Sequence, residues 1–240
     1  MNHIDIIHTE DLAGVTDEAA HRFAQVIRHI IKEGGVSGDG IARVVLTGGG
    51  AGIGTLAKLV DKDIKWDRVH IFFGDERNVA VSHPDSNEGQ AREVLLEKID
   101  IPEANIHGYG LGGVDLEESA RSYENTLKDF APDGFDLHLL GMGGEGHINS
   151  LFPHSNATKE EEKLVVAVHD SPKPPAQRVT LTLPAINSAK RVWLLVSGAE
   201  KAEAVYHAVH RAPALDYPVA GVEGRTETLL IVSADASSRL

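Results

Sequence analysis

Short, almost continuous apolar segments recur along the sequence and limit the folds open to it. Four of them are ARVVLT at 42–47, VHIFF at 69–73, FDLHLL at 135–140 and RVWLLV at 191–196. Segments of this kind are typical of strands that are covered on both faces. Stretches with helical spacing of apolar residues lie between them. This alternation predicts an α/β fold, a three-layer, doubly wound and mostly parallel sheet with helices on both faces.

Weaker patterns complete this prediction. The remaining predicted strands are at 4–7, 164–168, 178–183 and 229–232. One helix is predicted at 116–130, and the others end at Lys32, Val60, Ile99 and His210. Thr16 or Asp17 is expected to cap the first helix, and Ser86 or Asn87 the one that ends at residue 99. No repeat or shift in composition marks a second domain, so residues 1–240 are expected to form one domain.

Composition and charge narrow the classes of partner. The 240 residues carry 23 Lys and Arg against 36 Asp and Glu, a formal net charge of −13. A nucleic-acid partner is therefore not expected, because such binding depends on neutralising phosphates. The sequence has no cysteine, which excludes disulfides and thiol chemistry. Without a signal-like start or the ~20 apolar residues of a membrane helix, we expect a cytoplasmic protein, a monomer or small homo-oligomer, that binds no membrane.

Four predicted strands end in loops whose sequences suit a binding site. These loops are at 47–54, 74–77, 141–147 and 197–201. The carboxyl ends of parallel strands meet at one edge of a sheet, where α/β folds bind their ligands. We therefore expect the four loops to converge on one pocket.

The loop at 47–54 reads TGGGAGIG and precedes a predicted helix. Successive glycines at 48, 49 and 50 allow backbone N–H groups to point at one anion, close to the positive end of that helix. A tight turn alone needs fewer glycines, and no Gly-Lys-Ser/Thr follows, so this is not an ATP-binding P-loop. Thr47, Gly48, Gly49 and Gly50 are therefore predicted to bind a phosphate group.

The second loop is Gly74-Asp75-Glu76-Arg77. Its acids and its cation are able to bind sugar hydroxyls and a developing oxyanion. A salt-bridged surface turn explains the same residues, and this interpretation is favoured when the loop is considered alone.

The third loop, GMGGEGH at 141–147, matches the GxGxxG pattern of dinucleotide-binding proteins. Pro153 leaves little room for the helix on which a pyrophosphate would lie, and the acid expected ~20 residues later is not evident. A nicotinamide-dependent oxidoreductase therefore stays only an alternative. A general base at His147, with Glu145 two residues before it, fits the loop better.

Lys201 is in the fourth loop, which follows the predicted strand at 191–196, and it lies in the predicted first turn of a helix. Its charge opposes the helix dipole there. Solvent exposure is one explanation. The other is a phosphate contact that Lys201 shares with Arg178 and, as a further candidate, Lys173.

Five motifs taken together resemble a known family. In chain order they are LTGGG, FFGDER with SNEG downstream, LLGMGGEGHINSLFP, SPKPPAQRVTLTLPAIN and VSGAEKAEAV. Their series is similar to that of the 6-phosphogluconolactonases, most strongly between residues 41 and 209. The resemblance implies the fold shared with glucosamine-6-phosphate deaminase and ribose-5-phosphate isomerase. It also implies hydrolysis of 6-phosphoglucono-δ-lactone to 6-phosphogluconate in the oxidative pentose phosphate pathway.

The resemblance also implies roles for individual residues. His147 corresponds to the family's histidine and would be the general base, with Glu145 orienting it, and Arg77 would stabilise the oxyanion. The implied substrate and phosphate contacts are Gly48 to Gly50 with Thr47, Asp75, Asn87, Arg178 and Lys201. No metal or cofactor is expected. The family commonly reads GMGxDGHTASLFP, whereas Glu145, Ile148 and Asn149 depart from that pattern here.

Two further functions stay open at this stage. An amino-sugar-phosphate deaminase or isomerase of the same fold would share the phosphate loop and the histidine. A non-catalytic sugar-phosphate sensor would share the binding groups alone. The sequence has no basic helix-turn-helix segment of the kind that such regulators carry, which disfavours the sensor.

Overall fold

A parallel sheet forms the centre of the molecule in the computed structural model, which describes residues 3–240. In chain order the strands are β1 (Ile4–Thr9), β2 (Ala42–Leu46), β3 (Val69–Phe73), β4 (Asp75–Arg77), β5 (Ile106–His107), β6 (Leu137–Leu140), β7 (Val165–Val168), β8 (Arg178–Leu181), β9 (Arg191–Val196) and β10 (Glu227–Ser233). The α-helices are α1 (Leu12–Glu33), α2 (Gly49–Ala57), α3 (Asn87–Val94), α4 (Leu116–Phe130), α5 (Leu183–Asn187) and α6 (Ala202–Val209).

Seven strands form the parallel sheet, in the order β1-β10-β9-β6-β2-β3-β5. All residues of β2 and β6 are buried, as expected of strands covered on both faces. From β2 the chain moves outward to β3 and β5, and it then returns to the other side of β2 as β6. This reversal opens a crevice at the carboxyl ends of β2 and β6, the place where doubly wound sheets bind ligands. The predicted α/β class is confirmed.

A second, antiparallel sheet has the order β4-β8-β7. Its strand β4 follows β3 after Gly74 alone, so the loop predicted at 74–77 is in fact a strand. The strands predicted at 164–168 and 178–183 are present, but they pair with β4 and with each other and not with the parallel sheet. The prediction of the loop was wrong because three polar residues form a strand only through a distant partner.

The structure confirms some of the predicted helix boundaries and corrects others. The bounds of α4 are those predicted, and Ser86 caps α3 by accepting from the Gly89 N–H at 3.0 Å. Helix α1 starts earlier than expected, because Asp11, and not Thr16 or Asp17, accepts from the Gly14 N–H at 2.9 Å. The helix predicted at 198–210 is a 3-10 turn at 199–201 followed by α6, and α5 and β5 were not predicted.

Two buried tyrosines fix the end of β3, from which the chain enters β4. Tyr123 of α4 accepts the Phe73 N–H at 2.9 Å, and the Tyr109 hydroxyl donates to the Phe73 carbonyl at 3.0 Å. Their rings stack with centroids 3.7 Å apart. The position of Asp75 and Arg77 is therefore set by the core. Within residues 3–240, no helix combines the length and the hydropathy needed to cross a membrane.

Candidate active site

A cavity of about 140 Å³ lies at the carboxyl edge of the parallel sheet. The residues that line it follow β2 and β6 or belong to β4, α3 and β8. The predicted site residues among them are Thr47, Gly48, Gly49, Asp75, Arg77, Asn87, His147 and Arg178. Three of the four predicted loops therefore converge on one pocket, and the loop at 197–201 does not contribute to its lining.

The glycine loop joins the end of β2 to helix α2. Gly48 occupies the N-cap position of α2 and offers no side chain to cap it. The first N–H groups of a helix have no acceptor within the helix, and they carry its positive potential. The Gly141 N–H donates to Thr47 Oγ1 at 3.1 Å, which ties this loop to the one after β6. The helix start is therefore held at the cavity with its donors available to an anion.

The small sheet places two arginines side by side. Arg77 of β4 pairs with Arg178 of β8 in the antiparallel register, and both side chains line the cavity. Since alternate residues of a strand share a face, Asp75 lies on the same side of β4 as Arg77. Glu76 points the other way, is buried and accepts from Ser86 Oγ at 2.9 Å.

Arg77 is fixed by a chain of hydrogen bonds. Its Nη1 donates to Asn87 Oδ1 at 2.7 Å and to the Asp85 carbonyl at 3.0 Å. Asn87 in turn donates from Nδ2 to Asp75 Oδ1 at 3.0 Å. The Nε of Arg77 is buried and has no hydrogen-bond partner. The guanidinium is thus held in place with its buried Nε donor unused.

Arg178 is more deeply enclosed, with 4% of its surface exposed. Its Nε donates to the Pro175 carbonyl at 2.9 Å and its Nη2 to the Lys173 carbonyl at 2.9 Å. Nη1 lies 3.9 Å from Asp75 Oδ2. Burial lowers the pKa of Arg178, against the opposing charge of Asp75. An arginine side chain stays protonated in spite of this, so the cavity keeps a desolvated cation at this point.

His147 lies in a tight turn after β6. Its Nδ1 is 3.0 Å from Glu145 Oε1, but these two atoms do not form a hydrogen bond. Its ring stacks on Phe152 with centroids 4.5 Å apart. A side chain at residue 143 would place its Cβ 2.1 Å from His147 Nδ1. Gly143 is therefore required for the imidazole to lie where it does.

The surroundings of His147 favour its neutral form. Burial lowers the pKa of His147, Glu145 opposes this shift, and the charge of Lys173 adds to it. The ordinary pKa of a histidine, about 6.5, is already below neutrality, so with a lowered pKa the neutral imidazole predominates at pH 7 and is able to accept a proton.

Lys173 forms an ion pair with Glu145. Its Nζ lies 2.9 Å from Oε1 and 3.0 Å from Oε2 of that carboxylate. Burial would raise the pKa of Glu145, but the hydrogen bond from Lys173 and the charge of that lysine oppose this effect, and the pKa is lowered. Glu145 is therefore ionised beside the imidazole, while its own side chain is not part of the cavity wall.

Two predicted contacts also lie outside the lining of the cavity. Gly50 is in the first turn of α2, next to the lining residues Gly48 and Gly49. Lys201 is half-buried in the 3-10 turn at 199–201, and its role as a phosphate contact stays a prediction. The lining also includes Gly141, Met142, Gly143 and Asn149, which were not predicted as contacts. The only signal for Asn149 in the sequence is its departure from the family motif.

The motif resemblance is matched by direct comparison. The model of the family described as glucosamine-6-phosphate isomerases/6-phosphogluconolactonase matches residues 10–231. The chain belongs to this family. The 6-phosphogluconolactonase of Mycobacterium tuberculosis (strain ATCC 25618 / H37Rv) is a relative with 48% identity over 216 residues, which cover 85% of this chain and 87% of that protein. The 6-phosphogluconolactonase of Streptomyces coelicolor is 39% identical over 216 residues, 84% of this chain and 83% of that one.

Solved structures of the glucosamine-6-phosphate isomerase/6-phosphogluconolactonase family agree with the fold. The crystal structure of the 6-phosphogluconolactonase from Thermotoga maritima superposes with a TM-score of 0.86 at 30% identity, covering 96% of this chain and 99% of that one. A monomeric glucosamine-6-phosphate deaminase superposes with a TM-score of 0.83 at 21% identity, covering 98% and 99%. That second likeness concerns the fold alone, since lactonases and deaminases share it.

Proposed function

We propose that this protein hydrolyses 6-phospho-D-glucono-1,5-lactone to 6-phosphogluconate, with His147 as general base. The relatives with 48% and 39% identity are 6-phosphogluconolactonases. The observation that carries the mechanism is one small cavity lined by a neutral imidazole, two arginines and the start of a glycine-rich helix. Those groups match a substrate that has a phosphate at one end and an ester carbonyl at the other.

Phosphate binding is assigned to the glycine loop and to Arg178. Donors at the start of α2 and a desolvated guanidinium are both suited to a phosphate dianion. The Thr47 hydroxyl, already an acceptor for the Gly141 N–H, is free to donate to the same group. Fixing the phosphate orients the lactone ring and lowers the entropic barrier to reaction. Lys201 stays a predicted additional contact.

His147 is assigned the proton transfers. Its Nδ1 faces Glu145, which leaves Nε2 to take a proton from water as that water attacks the lactone carbonyl. The ionised Glu145 then stabilises the imidazolium, and Lys173 holds Glu145 in place. In the second step the imidazolium returns its proton to the departing ring oxygen. General-base help of this kind contributes about 10²–10⁴-fold to a rate.

Arg77 is assigned the negative charge that develops on the carbonyl oxygen. Its Nε is a buried donor without a partner, and Asn87 and the Asp85 carbonyl fix the rest of the guanidinium. A donor that is already in position stabilises an oxyanion without the cost of reorganisation. Asp75 acts through Asn87 and not as a base, because both of its carboxylate oxygens accept hydrogen bonds, from Asn87 and from Ser150.

The experiment compares two substrates with the same purified protein. Freshly prepared phosphogluconolactone is followed by acid release in a pH-stat, with the spontaneous opening subtracted, and glucosamine 6-phosphate is followed by ammonia release. We expect rapid lactone hydrolysis and no ammonia. Ammonia without lactone hydrolysis would instead identify a deaminase, and binding of both compounds without turnover a sensor. The cytoplasmic location, the single domain and the monomeric or small oligomeric state stay predictions.

A further inference from the structure

Asn149 carries a polar group that neither the fold nor the proposed mechanism uses. Its side chain lines the cavity two residues after His147 and is about nine-tenths buried, with 9% exposed. Neither Oδ1 nor Nδ2 has a hydrogen-bond partner. Buried amide groups without partners are rare in folded proteins because they are costly. Each specific case therefore calls for an explanation.

The buried atoms without partners cluster at this cavity. Within residues 3–240 they belong to Arg77, His147 and Asn149, which all line the cavity, and otherwise only to Asp136 and His138. Asp136 lies just before β6, and His138 lies within it. The proposed mechanism uses Arg77 and His147, so Asn149 is the remaining cavity group with unused hydrogen-bonding capacity.

The backbone and the packing hold the Asn149 amide in place. Its φ of 46° is in the left-handed region, which asparagine adopts more readily than other side-chain-bearing residues. A Cβ at residue 74 would lie 2.4 Å from Asn149 Oδ1. The amide therefore fits only because residue 74 is glycine, at the point where β3 turns into β4. A group held in this way is already positioned before a ligand arrives.

The chemistry of the amide indicates what it binds. It presents a donor and an acceptor side by side. A phosphate or an oxyanion would accept from Nδ2 but would leave Oδ1 without a donor. A hydroxyl group both donates and accepts, so hydroxyls of a sugar ring are able to satisfy both atoms. The arginines of the cavity offer donors only, and both Asp75 oxygens already accept hydrogen bonds.

We infer that Asn149 binds a ring hydroxyl of the sugar lactone and makes the site selective for that hydroxyl. This inference rests on the proposed lactone hydrolysis. A deoxy substrate would leave the amide buried and unpaired, and it should be rejected for that reason. The loss of one such hydrogen bond is expected to lower kcat/KM by about tenfold.

The test combines substrate and protein changes. The 2-deoxy, 3-deoxy and 4-deoxy forms of the phosphogluconolactone are compared with the parent compound, using the wild-type protein and Asn149→Gly. Glycine accepts the positive φ without strain, so this variant removes the amide alone. We expect the wild type to prefer the parent over one deoxy form by about tenfold in kcat/KM. We expect Asn149→Gly to lose that preference by becoming slower on the parent.

A matched control separates the amide from the backbone. His154 also has a positive φ, of 60°, and lies outside the cavity, so His154→Gly should keep the wild-type preference. Asn149→Asp is the second variant, for the case that glycine at 149 prevents folding. It keeps the shape and the positive φ but lacks the Nδ2 donor, so it should weaken the preference. Unchanged preferences in the Asn149 variants, or a wild type that ignores every deoxy change, would overturn the inference while lactone hydrolysis stands. A wild type without lactone hydrolysis would overturn the proposed function as well.

Discussion

The parallel sheet has a cavity at each end, and the two differ in chemistry. The cavity at the amino ends of β6, β9 and β10 has a volume of about 530 Å³, against about 140 Å³ at the carboxyl end. Three side-chain donors of the larger one bind backbone carbonyls. Lys190 Nζ donates to Gly35 at 3.0 Å, Arg225 Nη2 to Asp133 at 3.1 Å and Ser188 Oγ to Ala185 at 2.7 Å. The smaller cavity holds the unpaired atoms of Arg77, His147 and Asn149.

The difference follows from which helix ends lie at each edge. Helices α2 and α3 begin after β2 and β4, so their N–H groups and positive potential lie at the carboxyl edge. Helices α4 and α5 end shortly before β6 and β9, and the last carbonyl of α4, that of Phe130, accepts from Arg43 Nε at 2.6 Å. Basic residues at the amino edge are therefore used by the fold. Unpaired atoms in the lining, and not volume, distinguish the cavity at the carboxyl edge from the one at the amino edge.

The largest expected effect comes from His147→Ala. Without the proposed base, kcat/KM for the lactone should fall by about 10²–10⁴-fold. Thermal unfolding should change little in comparison, because the buried Nδ1 of the imidazole has no hydrogen bond that would be lost. Lys190→Ala, at the opposite end of the sheet, should keep the wild-type rate. If the activity of His147→Ala stays within a few-fold of that of the wild type, the cavity at the carboxyl edge is not the reactive one.

A smaller effect on activity is expected when an arginine is replaced by alanine, and each of the two cavities offers one for the comparison. Arg178→Ala should raise KM by about 10–100-fold with less change in kcat, because charge-assisted hydrogen bonds to phosphate are lost. Arg225→Ala, which removes the arginine from the larger cavity, should leave KM unchanged. The measurement is initial lactone hydrolysis over a range of substrate concentrations. Equal KM values for Arg178→Ala and the wild type would exclude Arg178 from the phosphate site.

The smallest expected effect is a shift in pH dependence. Only unprotonated His147 acts as a base. We therefore expect kcat/KM to be maximal at pH 7 and to decrease as the pH falls through the lowered pKa of His147. Glu145→Gln removes a charge that raises this pKa, and it should move the acidic limb to lower pH. Lys173→Met removes a charge that lowers the pKa, and it should move the limb to higher pH.

Asp133→Asn, in the larger cavity, serves as the control. The acidic limb of its pH profile should lie where that of the wild type lies. The profiles are to be measured as kcat/KM, because the free protein then determines the acidic limb. Shifts of the same sign in Glu145→Gln and Lys173→Met would contradict the proposed coupling of these two charges to His147.

Much of the parallel sheet could be predicted from the sequence. Strands β3 and β9 and helix α4 have the predicted bounds, because each is a local pattern of apolar spacing that the core then buries. The start of α1 could not be predicted in the same way. Its first turn includes Gly14, and its cap depends on a hydrogen bond from that residue to Asp11. The small sheet was missed because β4 is a strand only by pairing with β8.

The same limit applies to the site. Parallel strands bring their carboxyl ends together, so the convergence of Thr47, Arg77 and His147 could be expected before the structure. Lys173, by contrast, was a candidate for phosphate, and the structure pairs it with Glu145, 28 positions earlier. The missing partners of Asn149 and its left-handed backbone are properties of the folded chain. A sequence shows the type of such a residue but not what surrounds it.

The register of the small sheet has a consequence for synthesis on the ribosome. Arg77 and Arg178 are neighbours across β4 and β8, although 101 positions separate them in the chain. No fragment that stops before residue 178 is able to bring both guanidinium groups together. A growing polypeptide can therefore complete β3 and β6 early, but the pair of cations is assembled only after most of the 240 residues have been translated.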